Sequence, residues 1–196
     1  MASLLHTSRT ARAALNVVYA TWALSELWIR ATRPAHTGQA RNGSTRLAIV
    51  VGIGAGFSGA LALGAANGGP WMAHRNWLLF DLGIALALAG IALRLWAVRT
   101  LGRFFQLDLV VQDQHTVVRS GPYRLIRHPA YAGPVIFFIG VGLALDNWAS
   151  LALCVVLPTA AFVYRITIEE RVLVAGLGDE YEQYRRATWR LLPGVW

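Results

Sequence analysis

Two polar stretches in the second half of the chain carry side chains that could bind a charged ligand. The first, GPYRLIRHPAYAG at 121–133, contains Tyr123, His128 and Tyr131. The second contains Arg165 and Glu169, which are four residues apart and therefore share one face of a helix. Ionisable groups beside long apolar runs are costly to bury, which favours a functional site. The alternative interpretation of Arg165 and Glu169 is a simple salt bridge at the membrane interface.

The first stretch has the signals of a turn followed by a helix start. Gly121-Pro122 is a turn signal, and His128 is biased away from helix because a proline follows it. Pro129 suits the first position of a helix. The free N–H groups and positive dipole end of that helix would suit a ligand carboxylate. A belt of interfacial Tyr, His and Arg side chains is the competing interpretation.

The C-terminal stretch predicts a helix end followed by a short amphipathic helix. Gly176 and Gly178 are expected to end the helix that carries Arg165. Asp179 is then expected to cap a helix over about 180–189, with Glu182 as its capping-box partner. Its aromatic side chains would face membrane or protein, and Pro193 follows as a stop; these aromatic residues are Tyr181, Tyr184 and Trp189.

The composition of the whole chain is that of a membrane protein. Of the 196 residues, 56% are hydrophobic and only 14% are charged, whereas about 25% are charged in soluble proteins. The net charge of +8 would suggest nucleic-acid binding in a soluble protein. Here the arginines flank apolar runs, so we expect membrane lipids and not nucleic acid as the partner. The lone cysteine, Cys154, excludes an internal disulfide and a cysteine zinc cluster, and no metal site is expected.

The apolar runs predict five membrane-spanning helices. Each run is near the roughly 20 residues that a bilayer requires, except the fourth, which is short. The fourth and fifth form a tight hairpin that turns at Asp146-Asn147. The fold class is therefore all-α, an integral membrane helical bundle of about five transmembrane helices plus a C-terminal interfacial helix. The predicted spans are 13–29, 47–66, 77–97, 130–145 and 148–168.

The arginines predict the orientation of this bundle. Thirteen lie in the loops and tail on one side, against three on the other, and basic residues accumulate on the cytosolic side. We therefore expect the N-terminus outside and both the long loop and the C-terminus in the cytosol. Glu26 and Arg94 fall near the cytosolic ends of their spans, where snorkelling towards the interface is the default explanation.

The second span contains glycines that resemble a dinucleotide fingerprint but favour helix packing. Such a fingerprint needs a βαβ unit, whereas Gly52, Gly54 and Gly56 continue into an apolar helix. Small residues recur every four positions at Gly52, Gly56, Ala60 and Gly64, a spacing that lets two membrane helices approach closely. A homodimer through this face is left open.

Taken together, the C-terminal motifs resemble the isoprenylcysteine carboxyl methyltransferase family of integral membrane enzymes. The resemblance rests on RHPAYAG, then EERVL, then GDEYEQY and a closing RLLPG, in this order and spacing, over roughly 95–196. We expect one membrane methyltransferase domain over 1–196, in which 1–76 supplies the first two spans and 77–196 the catalytic part.

The resemblance implies S-adenosylmethionine as the methyl donor, bound at the cytosolic face without a Rossmann fold. It implies that Arg165 binds the substrate carboxylate and that Glu169 contacts the donor, and both are expected to be catalytic. The lipid tail of the substrate would enter from the bilayer between helices. The implied cofactor contacts are Gln112, His115, Thr116, Val117, Val118, Tyr123, His128, Pro129, Ala130, Tyr131 and Glu169.

The expected activity is methyl transfer to the carboxylate of a small lipidic substrate similar to isoprenylcysteine. An O-methyltransferase of another lipid, such as a long-chain phenol, has the same fold and donor but would need a proton acceptor. A membrane reductase using NADPH and a non-enzymatic membrane scaffold are further alternatives. Binding of the methyl donor, of NADPH or of neither by the purified protein separates these alternatives.

Overall fold

The chain folds into a bundle of α-helices. The computed structural model describes residues 8–33, 43–65, 76–105, 116–194 and 196. In these ranges no extended strand occurs, and 3₁₀ turns form at Gly102–Phe104 and Gly121–Arg124, which confirms the all-α class. The α-helices are α1 Arg9–Thr32, α2 Gly43–Ala65, α3 Trp77–Leu101, α4 Pro129–Ala144, α5 Trp148–Leu177 and α6 Asp179–Ala187.

Three stretches have the length and apolar composition of membrane spans: Ser44–Leu63, Trp77–Phe104 and Trp148–Leu177. They correspond to α2, α3 with its 3₁₀ extension, and α5. The α4 helix is apolar but shorter, as its sequence indicated. These helices support an integral membrane protein, while a crossing by α1 stays a prediction.

Helices α3 and α4 cross with their backbones almost in contact. A Cβ atom on Gly90 would lie 2.5 Å from the carbonyl oxygen of Gly133. A Cβ atom on Gly83 would lie 2.6 Å from the carbonyl oxygen of Gly140. Small residues permit this approach because no side chain separates the two backbones. Small-residue packing was predicted on α2 and not at this closer crossing, which fixes the start of α4.

The small-residue face of α2 packs against α5 of the same chain. A Cβ atom on Gly52 would lie 2.8 Å from the Cβ atom of Ala161, and one on Gly56 would lie 2.7 Å from a backbone oxygen of α5. The Ser150 hydroxyl donates a hydrogen bond of 2.8 Å to the carbonyl of Ala60. The packing role predicted for this face is confirmed, and its partner is intramolecular, so the contact gives no support to a homodimer. The surroundings of Gly64 lie outside the described part.

Replacing Gly90 with alanine is expected to lower the thermal unfolding midpoint by roughly 5 °C or more. The added methyl group would meet backbone atoms, so the helices must separate, and overpacking costs about 1–3 kcal/mol or more. Gly54→Ala is the matched control, because a Cβ there has nothing within 4 Å. Thermal unfolding of both variants in detergent checks this. Equal midpoints for the two variants would show that α3 and α4 can separate at their crossing without loss of stability.

The turns largely follow the sequence prediction. Gly121 adopts φ +55° at the 3₁₀ turn, and Asp146 adopts φ +53° in the α4–α5 hairpin. Asn147 caps α5 by accepting a hydrogen bond of 3.0 Å from the Ser150 N–H. The prediction for α6 was wrong in detail. Gly178 occupies the cap position at φ +54°, Asp179 is already helical without a side-chain capping bond, and the helix ends at Ala187.

Candidate active site

One cavity of about 480 Å³ brings together most of the predicted site residues. All six helices and the segment before α4 contribute to its wall. Pro129 is buried as the first residue of α4 and Thr116 is exposed, and neither lines the cavity. Gln112 and His115 lie outside the described residues. The predicted residues that line the cavity are Val117, Val118, Tyr123, His128, Ala130, Tyr131, Arg165 and Glu169.

Tyr131 connects the two charged residues that the sequence singled out. Its hydroxyl donates a hydrogen bond of 2.7 Å to Oε2 of Glu169. The Nε of Arg165 donates to the same hydroxyl at 3.4 Å. Arg165 also donates from Nη1 to Oγ1 of Thr45 at 2.7 Å, and both of these side chains are buried. The α5 helix therefore presents both a cation and an anion to one cavity, and α4 joins them through the Tyr131 hydroxyl. The α2 helix fixes the cation through Thr45, which was not predicted from the sequence.

The adjacent glutamates of α5 have different surroundings. Glu170 is 3% exposed and accepts from Arg127 Nε at 2.9 Å and from Arg190 Nε at 3.0 Å. It also lies 3.3 Å from Nε2 of His128. Glu169 lines the cavity, and in the described part of the chain its one hydrogen-bond donor is Tyr131. Glu170 thus holds together the segment before α4 and the C-terminal tail, whereas Glu169 has no salt bridge in the described part and lines the cavity.

The C-terminal tail is tied to the segment that precedes α4. The Arg127 N–H donates to the Trp189 carbonyl at 2.7 Å, and the His128 N–H donates to the Arg190 carbonyl at 3.0 Å. In return, the Trp189 N–H donates to the Leu125 carbonyl at 3.0 Å. These main-chain bonds form a short parallel bridge, which helical periodicity does not predict. The bridge holds His128 in place directly before the first residue of α4.

Glu26 and Arg94 form an ion pair in the wall of the cavity, so snorkelling was the wrong interpretation. Arg94 donates from Nη2 to Glu26 Oε2 at 2.9 Å and makes a second bond through Nε to Oε1. Its Nη1 donates to the Ala130 carbonyl at 2.7 Å, in the first turn of α4. The sequence did contain a signal for this pair, because Glu26 and Arg94 have opposite charges and were expected at the same depth in two different spans. Arg94 therefore links α1 to the start of α4.

Two tyrosines near the cavity remain neutral donors. Burial, followed by the negative charge of Glu169, raises the pKa of Tyr123 far above its usual range. Burial raises the pKa of Tyr184 to about 12. The Tyr184 hydroxyl donates a hydrogen bond of 2.8 Å to the Tyr123 carbonyl, which attaches α6 to the turn before α4. Neither phenol can act as a proton acceptor near neutral pH.

The cavity has the charge pattern of a site for both a cation and an anion. The described residues contain no cluster of three or more His, Cys, Asp or Glu side chains that could hold a metal ion. The charges in the wall instead come from five arginines and two glutamates. Arg94 forms a salt bridge with Glu26, and Arg127 forms one with Glu170. The charged lining residues are Arg30, Arg46, Arg94, Arg127, Arg165, Glu26 and Glu169.

Comparison with known proteins finds similar sequences of one named kind. A probable protein-S-isoprenylcysteine O-methyltransferase of Oryza sativa subsp. indica is 34% identical over 61% of this chain and 63% of its own length. Protein-S-isoprenylcysteine O-methyltransferase A of Arabidopsis thaliana is 30% identical over 62% of each chain. The chain thus spans less than two thirds of the length of the curated relatives it matches.

The fold has a counterpart of known structure. The eukaryotic intramembrane Ras methyltransferase ICMT superimposes over 98% of this chain and 70% of its own, with a TM-score of 0.63 at 21% sequence identity. The family model described as the isoprenylcysteine carboxyl methyltransferase (ICMT) family matches residues 83–175, the segment that carries α4 and most of α5. Through this segment, the chain resembles the isoprenylcysteine carboxyl methyltransferase family.

Proposed function

We propose that this protein transfers a methyl group from S-adenosylmethionine to the carboxylate of an isoprenylated cysteine at the end of a lipidated protein. The relatives are named for this modification. The observation that carries the proposal is the placement of Arg165 and Glu169 in one cavity, joined through the Tyr131 hydroxyl. A lipidated protein replaces the small lipid that the sequence analysis expected as substrate.

The residues of the cavity fit S-adenosylmethionine. The carboxylate of Glu169 lines the cavity, and no arginine among the described residues forms a salt bridge with it. A cationic ligand would satisfy this charge, and the cavity volume falls in the range of small-molecule sites. When bound, S-adenosylmethionine supplies a methyl group on a positively charged sulfur. Val117, Val118, Tyr123 and Ala130 also line the cavity and would contact the ligand.

Arg165 is proposed to bind and orient the acceptor carboxylate. Its guanidinium is 3% exposed and fixed by Thr45 and Tyr131, so little side-chain entropy is lost when the carboxylate arrives. A carboxylate is already deprotonated near neutral pH, so it needs no general base. The chain has only to hold the acceptor in line, and such positioning supplies roughly 7–11 kcal/mol of a barrier.

The apolar part of the cavity is proposed to admit the lipid tail from the bilayer. Its wall includes Ile49, Val50 and Ile53 of α2 and Phe162 of α5. Val50 is 67% exposed at the bundle surface, so this wall reaches the surface that lipid would cover. We propose that the cavity mouth with its arginines faces the cytosol. Because α1 and α2 contribute to the cavity, we propose that 1–196 acts as one domain.

A methylation assay tests the proposal. Purified protein with labelled S-adenosylmethionine is expected to methylate an N-acetyl-S-farnesylcysteine acceptor and not its methyl ester. A long-chain phenol is the comparison acceptor, and it should give much less product because a phenol is still protonated near neutral pH and offers no carboxylate to Arg165. Methylation of the phenol alone, or of neither compound, would overturn the proposed reaction.

Replacing Glu169 with glutamine is expected to weaken binding of S-adenosylmethionine by about tenfold to a hundredfold. The variant removes the negative charge from the cavity wall, and hydrogen bonds to charged groups contribute roughly 1.5–3 kcal/mol. Calorimetric titration checks this. Glu182→Gln is the control, because Glu182 is paired on the surface with Arg185 and does not line the cavity. Unchanged affinity in the Glu169 variant would remove Glu169 from the donor site.

A further inference from the structure

The hydroxyl of Tyr181 is a buried donor without a partner. The side chain lies on α6, is 4% exposed and lines the cavity. In the part of the chain that the structure describes, nothing hydrogen-bonds to its oxygen. Leaving a buried hydroxyl unpaired costs about 1–3 kcal/mol, so native proteins usually pair such groups with protein, water or ligand. An unpaired donor in the wall of a ligand cavity therefore indicates a contact that a ligand completes.

The surroundings of Tyr181 place it beside the segment 117–123, which is proposed to contact the S-adenosyl ligand. Its ring lies 5.9 Å from that of Tyr184, whose hydroxyl is bonded to Tyr123. The preceding residue, Glu180, accepts a hydrogen bond of 3.3 Å from the Val117 N–H. The α6 helix thus packs beside the segment 117–123, whereas the apolar wall comes from α2 and α5.

The Tyr181 hydroxyl stays protonated and can therefore donate a hydrogen bond. Burial, followed by the negative charges of Glu170 and Glu169, raises the pKa of Tyr181 far above its usual range. A protonated phenol donates to oxygen or nitrogen acceptors, which the amino-acid, ribose and adenine parts of an S-adenosyl ligand all carry. The acceptor's lipid tail offers no such atom.

We propose that Tyr181 is a further binding residue for the S-adenosyl ligand. Its hydroxyl, in the part of the cavity wall that α6 contributes, donates a hydrogen bond to this ligand. The inference rests on the proposed methyl-transfer function and adds a residue that the family motifs did not assign to the cofactor. Because the hydroxyl makes no hydrogen bond within the described fold, its removal costs the unliganded protein little.

Calorimetric titration of Tyr181→Phe with S-adenosylhomocysteine tests this assignment. The dissociation constant is expected to rise about fivefold to tenfold, since one hydrogen bond is lost. The unfolding midpoint of the unliganded protein and the KM for the farnesylcysteine acceptor should not change. Tyr19→Phe is the matched control: its hydroxyl is also buried and unpartnered in the described part, but it does not line the cavity, so affinity should be unchanged.

Other outcomes overturn the inference. An unchanged dissociation constant shows that the hydroxyl does not contact the ligand, and a changed acceptor KM alone assigns it to the other substrate. A fall in the midpoint like that expected for Tyr184→Phe, which removes the bond to Tyr123, makes the role structural. If the unmodified protein fails to bind S-adenosylhomocysteine, the proposed function itself fails; normal binding with an unaffected Tyr181 variant rejects only this inference.

Discussion

Replacing Arg165 with glutamine is expected to lower kcat/KM for a farnesylcysteine acceptor by roughly 30-fold to several thousandfold. Arg165 is the buried cation that we assign to the acceptor carboxylate, and removing one partner of such a pair costs about 2–5 kcal/mol. Affinity for S-adenosylhomocysteine should stay within about threefold, because Tyr131 still donates to Glu169. Steady-state kinetics and calorimetry on the same preparation measure both quantities.

Arg171→Gln is the matched control for this experiment. Arg171 lies on the same helix but is exposed and does not line the cavity, so its removal should leave kcat/KM unchanged. Equal losses of donor affinity and acceptor turnover in the Arg165 variant would contradict separate roles for Arg165 and Glu169.

Replacing Glu170 with glutamine is expected to destabilise the protein by about 3 kcal/mol, which corresponds to a fall of roughly 6–12 °C in the unfolding midpoint. The carboxylate neutralises Arg127, which is itself buried, and also binds Arg190 of the tail. Without the negative charge, Arg127 loses its anionic partner while its side chain is only 8% exposed, and the half-buried Arg190 loses its bond to α5. Thermal unfolding in detergent measures the change.

The neighbouring glutamate supplies the comparison for Glu170. Glu169→Gln should leave the midpoint nearly unchanged while it weakens donor binding, because Glu169 forms no salt bridge among the described residues. If the two variants lost stability equally, the division between a structural and a ligand-binding glutamate would be wrong.

Much of the helical scaffold was predictable, because it depends on local signals. Apolar runs located the helices, the proline after His128 placed the start of α4, and Asp146-Asn147 marked the hairpin. The spacing of Arg165 and Glu169 placed both on one face of α5, and both do line the cavity. These features follow from residues that are close in the sequence.

The features that were missed depend on contacts between distant segments. The bond from Arg165 to Thr45 and the pair between Glu26 and Arg94 join helices whose rotation the sequence does not specify. The bridge between the tail and the segment before α4 uses main-chain groups, which every residue carries and no side-chain pattern marks. Glu170 follows Glu169 directly in the sequence, and only the fold shows that its carboxylate has three partners.

Structure determination of the protein with S-adenosylhomocysteine and N-acetyl-S-farnesylcysteine bound together is the most direct test of a shared cavity. Both molecules are expected in the 480 Å³ cavity, with the acceptor carboxylate within hydrogen-bond distance of the Arg165 guanidinium. The S-adenosyl ligand should lie against Glu169 and Tyr123. Ligands on separate surfaces, or a carboxylate bound away from Arg165, would contradict this expectation.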